Sequence, residues 1–344
     1  MKKSLILLFS LLLISCNSKD SADSETYTMP VFKQELSVTP KYIHKDKPLA
    51  QIFYMQVYKD YLLFKSSDEN NLVQLFNKNT GEYVAGIAPR GRGAGEYPMT
   101  VDFFFLGDTL CVYDRQQLVV NYYESDFVGN RIPFKRIQIE GANGFLQIVP
   151  YKRGFITVPT KGVRFIIQDE TGKQIGKYTH YPNFNAINDS SIVRNALFTG
   201  SHEVDIKPDH TKLVSATFAG AIIEIFSLSG NKINLDKEIR LLPPTLLKRK
   251  DNSYTTSDES FVGFWNIHTT DDYIYLIFSG KTLKDHKKHR CGDFIYVYDW
   301  EGNPIKSYKI NGGIYRFTID EAQQRIFLIT YDQDGDEIIG YFNL

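Results

Sequence analysis

Cysteine is scarce in this chain, with three in 344 residues, and net charge is absent, with 40 Lys and Arg balancing 40 Asp and Glu. A chain without a basic excess lacks the electrostatic footprint of a nucleic-acid binder. Long apolar runs are missing too. The run at residues 4 to 14 is shorter than the roughly 20 residues a membrane helix needs, and no later run reaches that length. Amphipathic helical periodicity is hard to find. The best stretch, "PPTLLKRKDNS" from Pro243, reads as a loop or a single turn. There is no Gly-x-Ser-x-Gly, no His-Glu-x-x-His and no phosphate-binding P-loop, so nucleophilic and nucleotide chemistry find no recognisable motif.

What is present begins at the N-terminus. Lys2 and Lys3 precede the apolar run, which ends at Leu13-Ile14-Ser15-Cys16. This is the form of a secretory signal. It resembles a bacterial lipobox, which implies a signal peptide over 1–15, cleavage before Cys16 and lipid on the Cys16 sulfur. Acyl chains anchor without a membrane segment in the folded part. The expected location is the cell envelope, lipid-anchored in the outer membrane. Residues 16–30 are polar and Ser/Asp-rich, a flexible tether. Acidic residues after such a cysteine resemble a surface-export signal of Bacteroidota, but Lys19 interrupts them, so the periplasmic and surface faces both stay open.

Beyond the tether the signal is strand nearly throughout. Runs such as "FFFLGDTLCVYDR", "YIYLIFSG" and "DFIYVYDWEG" are rich in Val, Ile, Phe and Tyr and bounded by Gly, Asn or Asp. One phrase recurs: an apolar strand, a polar turn with a central glycine, and a second strand. The glycines are Gly81, Gly129, Gly172, Gly230 and Gly302. Tight hairpins ask for positive φ, which favours glycine. Recurrence at about 40 to 70 residues, with four short strands per unit, is the pattern of a propeller. The fold class expected is all-β: a six-bladed β-propeller over 31–344. Its last blade lacks a fourth strand, which residues 31 to 39 at the N-terminus are expected to supply.

The lipobox, the strand repeat and "GRGAGEYP" (91–98, led in by Arg90) together resemble the TolB-like six-bladed propeller lipoproteins of Bacteroidota. The loop is also similar to the Gly-rich phrase of NHL-type propellers, with Tyr97 where Phe is common and Ala94 where Pro is common. The sharp motif occurs once, so a regular NHL repeat is not implied. The resemblance implies fold and anchoring, and no catalytic residue.

The loop joins the first blade to the second. Arg90 and Arg92 are candidate clamps for a carboxylate or other anion, with glycines letting backbone N–H groups approach. The competing reading makes the loop chiefly a corner, with Tyr97 packed between blades and Glu96 paired to a nearby arginine. Trp265, in "ESFVGFWNIH", is a candidate platform for a sugar, although packing between blades is the commoner use of such a residue.

His286, His289 and Cys291 have zinc-ligating side chains, but Lys284, Lys287, Lys288 and Arg290 surround them with positive charge, so the stretch reads as a solvated insertion in the fifth blade. Asp332, Asp334, Asp336 and Glu337 offer oxygen density without calcium-loop spacing. Cys111 and Cys291 fall in blades two and five, too far apart to be bridged. No cofactor is expected. Two functions stay open: a monomeric binding module for a protein or carbohydrate partner, and a hydrolase or lyase holding a divalent metal in the central funnel.

Overall fold

The computed structural model describes residues 26–43, 47–93, 95–129, 132–141, 144–184, 197, 202–251 and 253–344. Residues 1–15, read from sequence as a signal peptide, and Cys16 lie outside the described residues. Six blades follow one another along the chain, with antiparallel strands in sequence order from the axis outward, except that N-terminal segments add at the outer edges of the last two. Blade one is Ile52–Tyr58, Tyr61–Ser66, Asn71–Asn77 and Tyr83–Pro89. Blade two runs from Val101–Leu106 to Lys135–Gln138, and blade three from Phe145–Tyr151 to Gln174–Tyr178. Blade four runs from His202–Ile206 to Lys232–Leu242, and blade five from Phe264–Thr269 to Pro304–Ile314. Blade six holds Arg316–Asp320, Arg325–Tyr331 and Glu337–Asn343. The chain is a six-bladed β-propeller.

The five recurrent glycines all lie in the turn between third and fourth strands. Gly172 shows why the residue matters: its φ is +82°, and a Cβ there would stand 2.2 Å from the Gln138 carbonyl oxygen of blade two. Middle strands are buried on both faces, as in Leu110–Asp114 and Ile274–Phe278, because each blade is covered by two neighbours. The core is accordingly six apolar layers between blades rather than one centre. Leu72, Val73 and Ile87 of blade one meet Val101, Leu110 and Tyr123 of blade two; Phe64 and Met55 meet Phe327 and Ile329 where blade one meets blade six.

Polar ties cross the same junctions. Glu224 of blade four takes a two-pronged bond from the Arg164 guanidinium of blade three, and both are buried. Where blades six and one meet, Lys78 Nζ lies 2.7 Å from Asp320, with side chains only 5% and 4% exposed. Glu337 accepts the Ile52 N–H at 3.0 Å.

Two assignments of the terminal segments change. Gln34–Val38, within the stretch expected on the sixth blade, instead pairs parallel with the outer strand of blade five. The fourth strand of blade six is the next segment, Lys41–Ile43, antiparallel to Glu337–Asn343. Phe32 fixes the first choice by packing on Tyr296, centroids 4.6 Å apart. Thr28, inside the stretch read as tether, donates its N–H to the Arg240 carbonyl of blade four. The segment after Pro243 forms a small hairpin, Leu246–Lys248 with Tyr254–Thr256, rather than a single turn. The insertion in blade five carries a short helix, Leu283–His289, started by Thr282, whose hydroxyl accepts the Asp285 N–H.

Candidate functional site in the central channel

The inner strands of the six blades enclose a channel of about 1270 Å³. In a four-stranded blade the turn after the second strand and the crossing to the next blade lie on one face, called upper here. Phe53, Lys65, Asp102, Arg115, Trp265 and Arg316 belong to that mouth by their positions at the upper ends of strands. The inner strands of blades one, three and five each carry a register break near their start, at Phe53, Leu146 and Asn266. A bulge of this kind re-aims a side chain without breaking the sheet. Phe53 is thereby left 40% exposed at the mouth. Asn266 takes φ +57° and accepts the Phe317 N–H at 2.6 Å, tying blade five to blade six.

Charge in the channel is arranged in two groups. Asp102 of blade two and Glu203 and Asp205 of blade four all stand close enough to Tyr54 of blade one to raise its phenol further above its ordinary value, after burial. Asp102 accepts Lys65 Nζ at 2.6 Å and the Arg115 guanidinium at 2.7 and 3.0 Å. Burial opposes its ionisation, but the two cations outweigh burial and hold it below the usual carboxylate range. Lys65 is pushed down by the same burial. Asp205 accepts the Ile206 N–H at 2.8 Å and the Thr269 N–H and hydroxyl at 3.0 and 3.1 Å, joining blades four and five. Burial still wins over these donors and pushes its carboxyl up to about 7. His268, beside it on the wall, is pushed down to about 4 by burial.

Blades five and six contribute Arg290 and Arg316 to the mouth. Arg316 donates Nε to the Phe53 carbonyl at 2.7 Å and Nη1 to the Tyr315 carbonyl at 2.8 Å, with its guanidinium 4.3 Å from the Tyr315 ring. Trp265 donates its indole N–H to the Tyr315 carbonyl at 2.9 Å. His286 meets that indole edge-on at 4.9 Å. Burial, with Lys281, Arg290 and Arg316 nearby, pushes the imidazole down to about 4.

Of the residues singled out from sequence, Trp265 and His286 come together in this channel. Arg90, Arg92 and Glu96 do not line it. Arg90 donates to the Asp68 carbonyl at 2.7 Å, Arg92 is exposed, and Glu96 accepts the Gly93 N–H at 2.7 Å. The arginine partner expected for Glu96 is thus replaced by loop backbone, which lies nearer. Tyr97 is buried between blades one and two, its hydroxyl 2.6 Å from that of Tyr123. Asp332 closes its own turn by accepting the Asp334 and Asp336 N–H groups. Cys111 and Cys291 are unpaired and buried, and burial pushes their thiols up to about 12 and about 11. The His289 side chain is outside the described residues. Among those described, no three His, Cys, Asp or Glu side chains are grouped to share a metal ion.

Sequence reasoning missed Lys65, Asp102, Arg115, Glu203, Asp205 and Arg316. The available signal was a charged residue at or beside the end of an otherwise apolar strand, as in "VDFFFL" and "HEVDI".

Fold and channel define a six-bladed propeller with a polar axial funnel. Comparison makes that specific: the model of the TolB-like 6-blade propeller-like family matches residues 34–322, and the chain belongs to this family. Two solved structures share the fold. One is a candidate exported protein of Bacteroides fragilis, at 12% identity and TM-score 0.58, covering 90% of this chain and 100% of that one. The other is a member of the DUF4221 family from Bacteroides vulgatus, at 10% identity and TM-score 0.55, covering 89% and 97%. No curated protein matches the sequence. No helix among the described residues is long and apolar enough to cross a membrane.

Proposed function

We propose that this protein is a cell-envelope lipoprotein anchored through Cys16. Its propeller acts as a non-enzymatic binding module that takes a protein or carbohydrate partner at the upper mouth of the channel. The leader with its lipobox-like end and the fold shared with a candidate exported protein support the location. The observation that carries the binding role is the mouth itself, where a bulged, exposed Phe53 stands beside Arg316 over a large channel. The channel acids Asp102 and Asp205 are already committed to holding blades together, a structural rather than a catalytic use.

A thermal-shift screen of the mature chain against oligosaccharides and peptides tests this, repeated on Gln56→Trp, which puts a bulky ring into the channel in place of a wall amide. A ligand at about 100 times its Kd adds about 2.7 kcal/mol to stability. The expected result is a stabilised wild type and an unresponsive Gln56→Trp. A shift that survives in Gln56→Trp and disappears in Arg92→Gln would move the site to the Gly-rich loop.

A further inference from the structure

We infer that the blade-five and blade-six side of the mouth receives an oxyanion carried on a sugar ring, so that the ligand is an acidic oligosaccharide held by Arg290 and Arg316 with a ring against Phe53. This rests on the channel being the binding site and names the chemistry of its ligand.

The cations on this side differ in how they are engaged. Lys281 pairs with Asp293 at 3.0 Å and Lys287 with Asp258 at 2.6 Å. Arg290 and Arg316 make no ion pair among the described residues. Arg290 ends the short helix with φ +52° and lines the mouth. Arg316 is fixed in plane by its two carbonyl contacts and the Tyr315 ring, and these use Nε and Nη1. Nη2 makes no hydrogen bond among the described residues, and a guanidinium held in plane is prepared for a planar or tetrahedral oxyanion. Between them His286 buries an Nδ1 with no hydrogen-bond partner. Burial first, and then the nearby Lys281, Arg290 and Arg316, lower its basicity. The carboxylates Asp102, Glu203 and Asp205 gather instead around Tyr54. Lys65 and Arg115, across the mouth, are engaged by Asp102, so an anionic group finds its uncommitted cations at Arg290 and Arg316.

The rest of the channel suits a sugar better than a polypeptide surface. A folded partner cannot enter it, and its volume exceeds the roughly 300–1,000 Å³ of sites for single small molecules, which favours an oligomer. Gln51, Gln56 and Gln147 line it with amides that both donate and accept, matching hydroxyl groups. Gln147 accepts the Val204 N–H at 3.1 Å through Oε1, leaving its amide hydrogens for a ligand, and Gln56 Oε1 is buried without a partner. The exposed ring of Phe53 offers an apolar face beside Arg316.

The test is calorimetric titration of the mature protein with an oligogalacturonide, a neutral galacto-oligosaccharide of equal length, a sulfated disaccharide and inorganic sulfate. We expect an acidic sugar to bind at least about tenfold more tightly than the neutral one. Arg316→Gln or Arg290→Gln should remove that preference while neutral-sugar binding and Arg92→Gln stay unchanged. The carboxylated and sulfated arms show which oxyanion is held. Equal affinity for neutral and acidic sugars would overturn the inference while leaving the channel as a binding site. Sulfate alone binding as tightly as any sugar, or no sugar binding at all, would overturn it too; a peptide that stabilises the wild type but not Gln56→Trp would then still support the binding module. Should Arg316→Gln fail to fold, Arg290→Gln, on an exposed helix cap, carries the comparison.

Discussion

Lys78→Met should weaken the ring at the point where its two ends meet. Lys78 follows the third strand of blade one and Asp320 ends the inner strand of blade six, so their 2.7 Å contact joins the first blade to the last. Both side chains are about 95% buried. Removing one partner of such a pair leaves an uncompensated charge and costs about 3–5 kcal/mol, whereas replacing both with apolar groups of like size is often neutral. Unfolding entropy of about 2.1 cal/mol/K per residue, over roughly 310 residues, gives about 0.65 kcal/mol per degree. Lys78→Met is then expected to lower Tm by about 5–8 °C, and Lys78→Met with Asp320→Leu to recover most of that loss. Differential scanning calorimetry of the four proteins of the cycle provides the measurement. A fall below about 2 °C for the single variant, or a double variant worse than either single, would refute a closing role for the pair.

Other outcomes follow from the same contacts. Glu337→Ala leaves the Ile52 N–H buried and unpaired and should cost about 1–3 kcal/mol in denaturant unfolding, and Glu337→Gln, which keeps an acceptor, clearly less. Asp205 has its folded pKa raised to about 7 from 3.8, so the native state takes up its proton first as pH falls. Its stabilising contribution is full below about 4 and is lost as pH rises through 7. Asp205→Asn should flatten that part of the stability profile, and an unchanged profile would show that the carboxyl ionises freely. Both thiols should resist alkylation at pH 8 until the chain unfolds, since burial raises them to about 12 and about 11. Cys16→Ala should move the protein from the membrane to the soluble fraction on cell fractionation.

The blades were legible because their hairpin glycines are local: positive φ at Gly81, Gly172, Gly230 and Gly302 is required by the turn itself. The partner of a strand is not local information. Residues 31–39 and 41–43 read alike as extended chain, and only the packing of Phe32 on Tyr296 and Tyr298 decides which blade the first joins. The helix 283–289 was hidden because "LKDHKKH" is polar nearly all round and shows no apolar stripe. The Gly-rich loop drew attention as a visible cluster, yet its Tyr97 serves the core. The channel residues have the opposite character. Each blade contributes only a few, separated by the length of a repeat, so they form no motif and meet only when the ring closes.

The central claim is that ligand enters the channel rather than settling on the Gly-rich loop. The most direct measurement places an environment-sensitive fluorophore on a single introduced cysteine, at Lys287 on the channel wall or at Arg92, in protein lacking residues 1–16 and with Cys111 and Cys291 replaced by serine. Titration with the oligogalacturonide is predicted to change the emission of the label at 287 and leave that at 92 unchanged. A response at 92 with none at 287 would contradict the account and return the function to "GRGAGEYP".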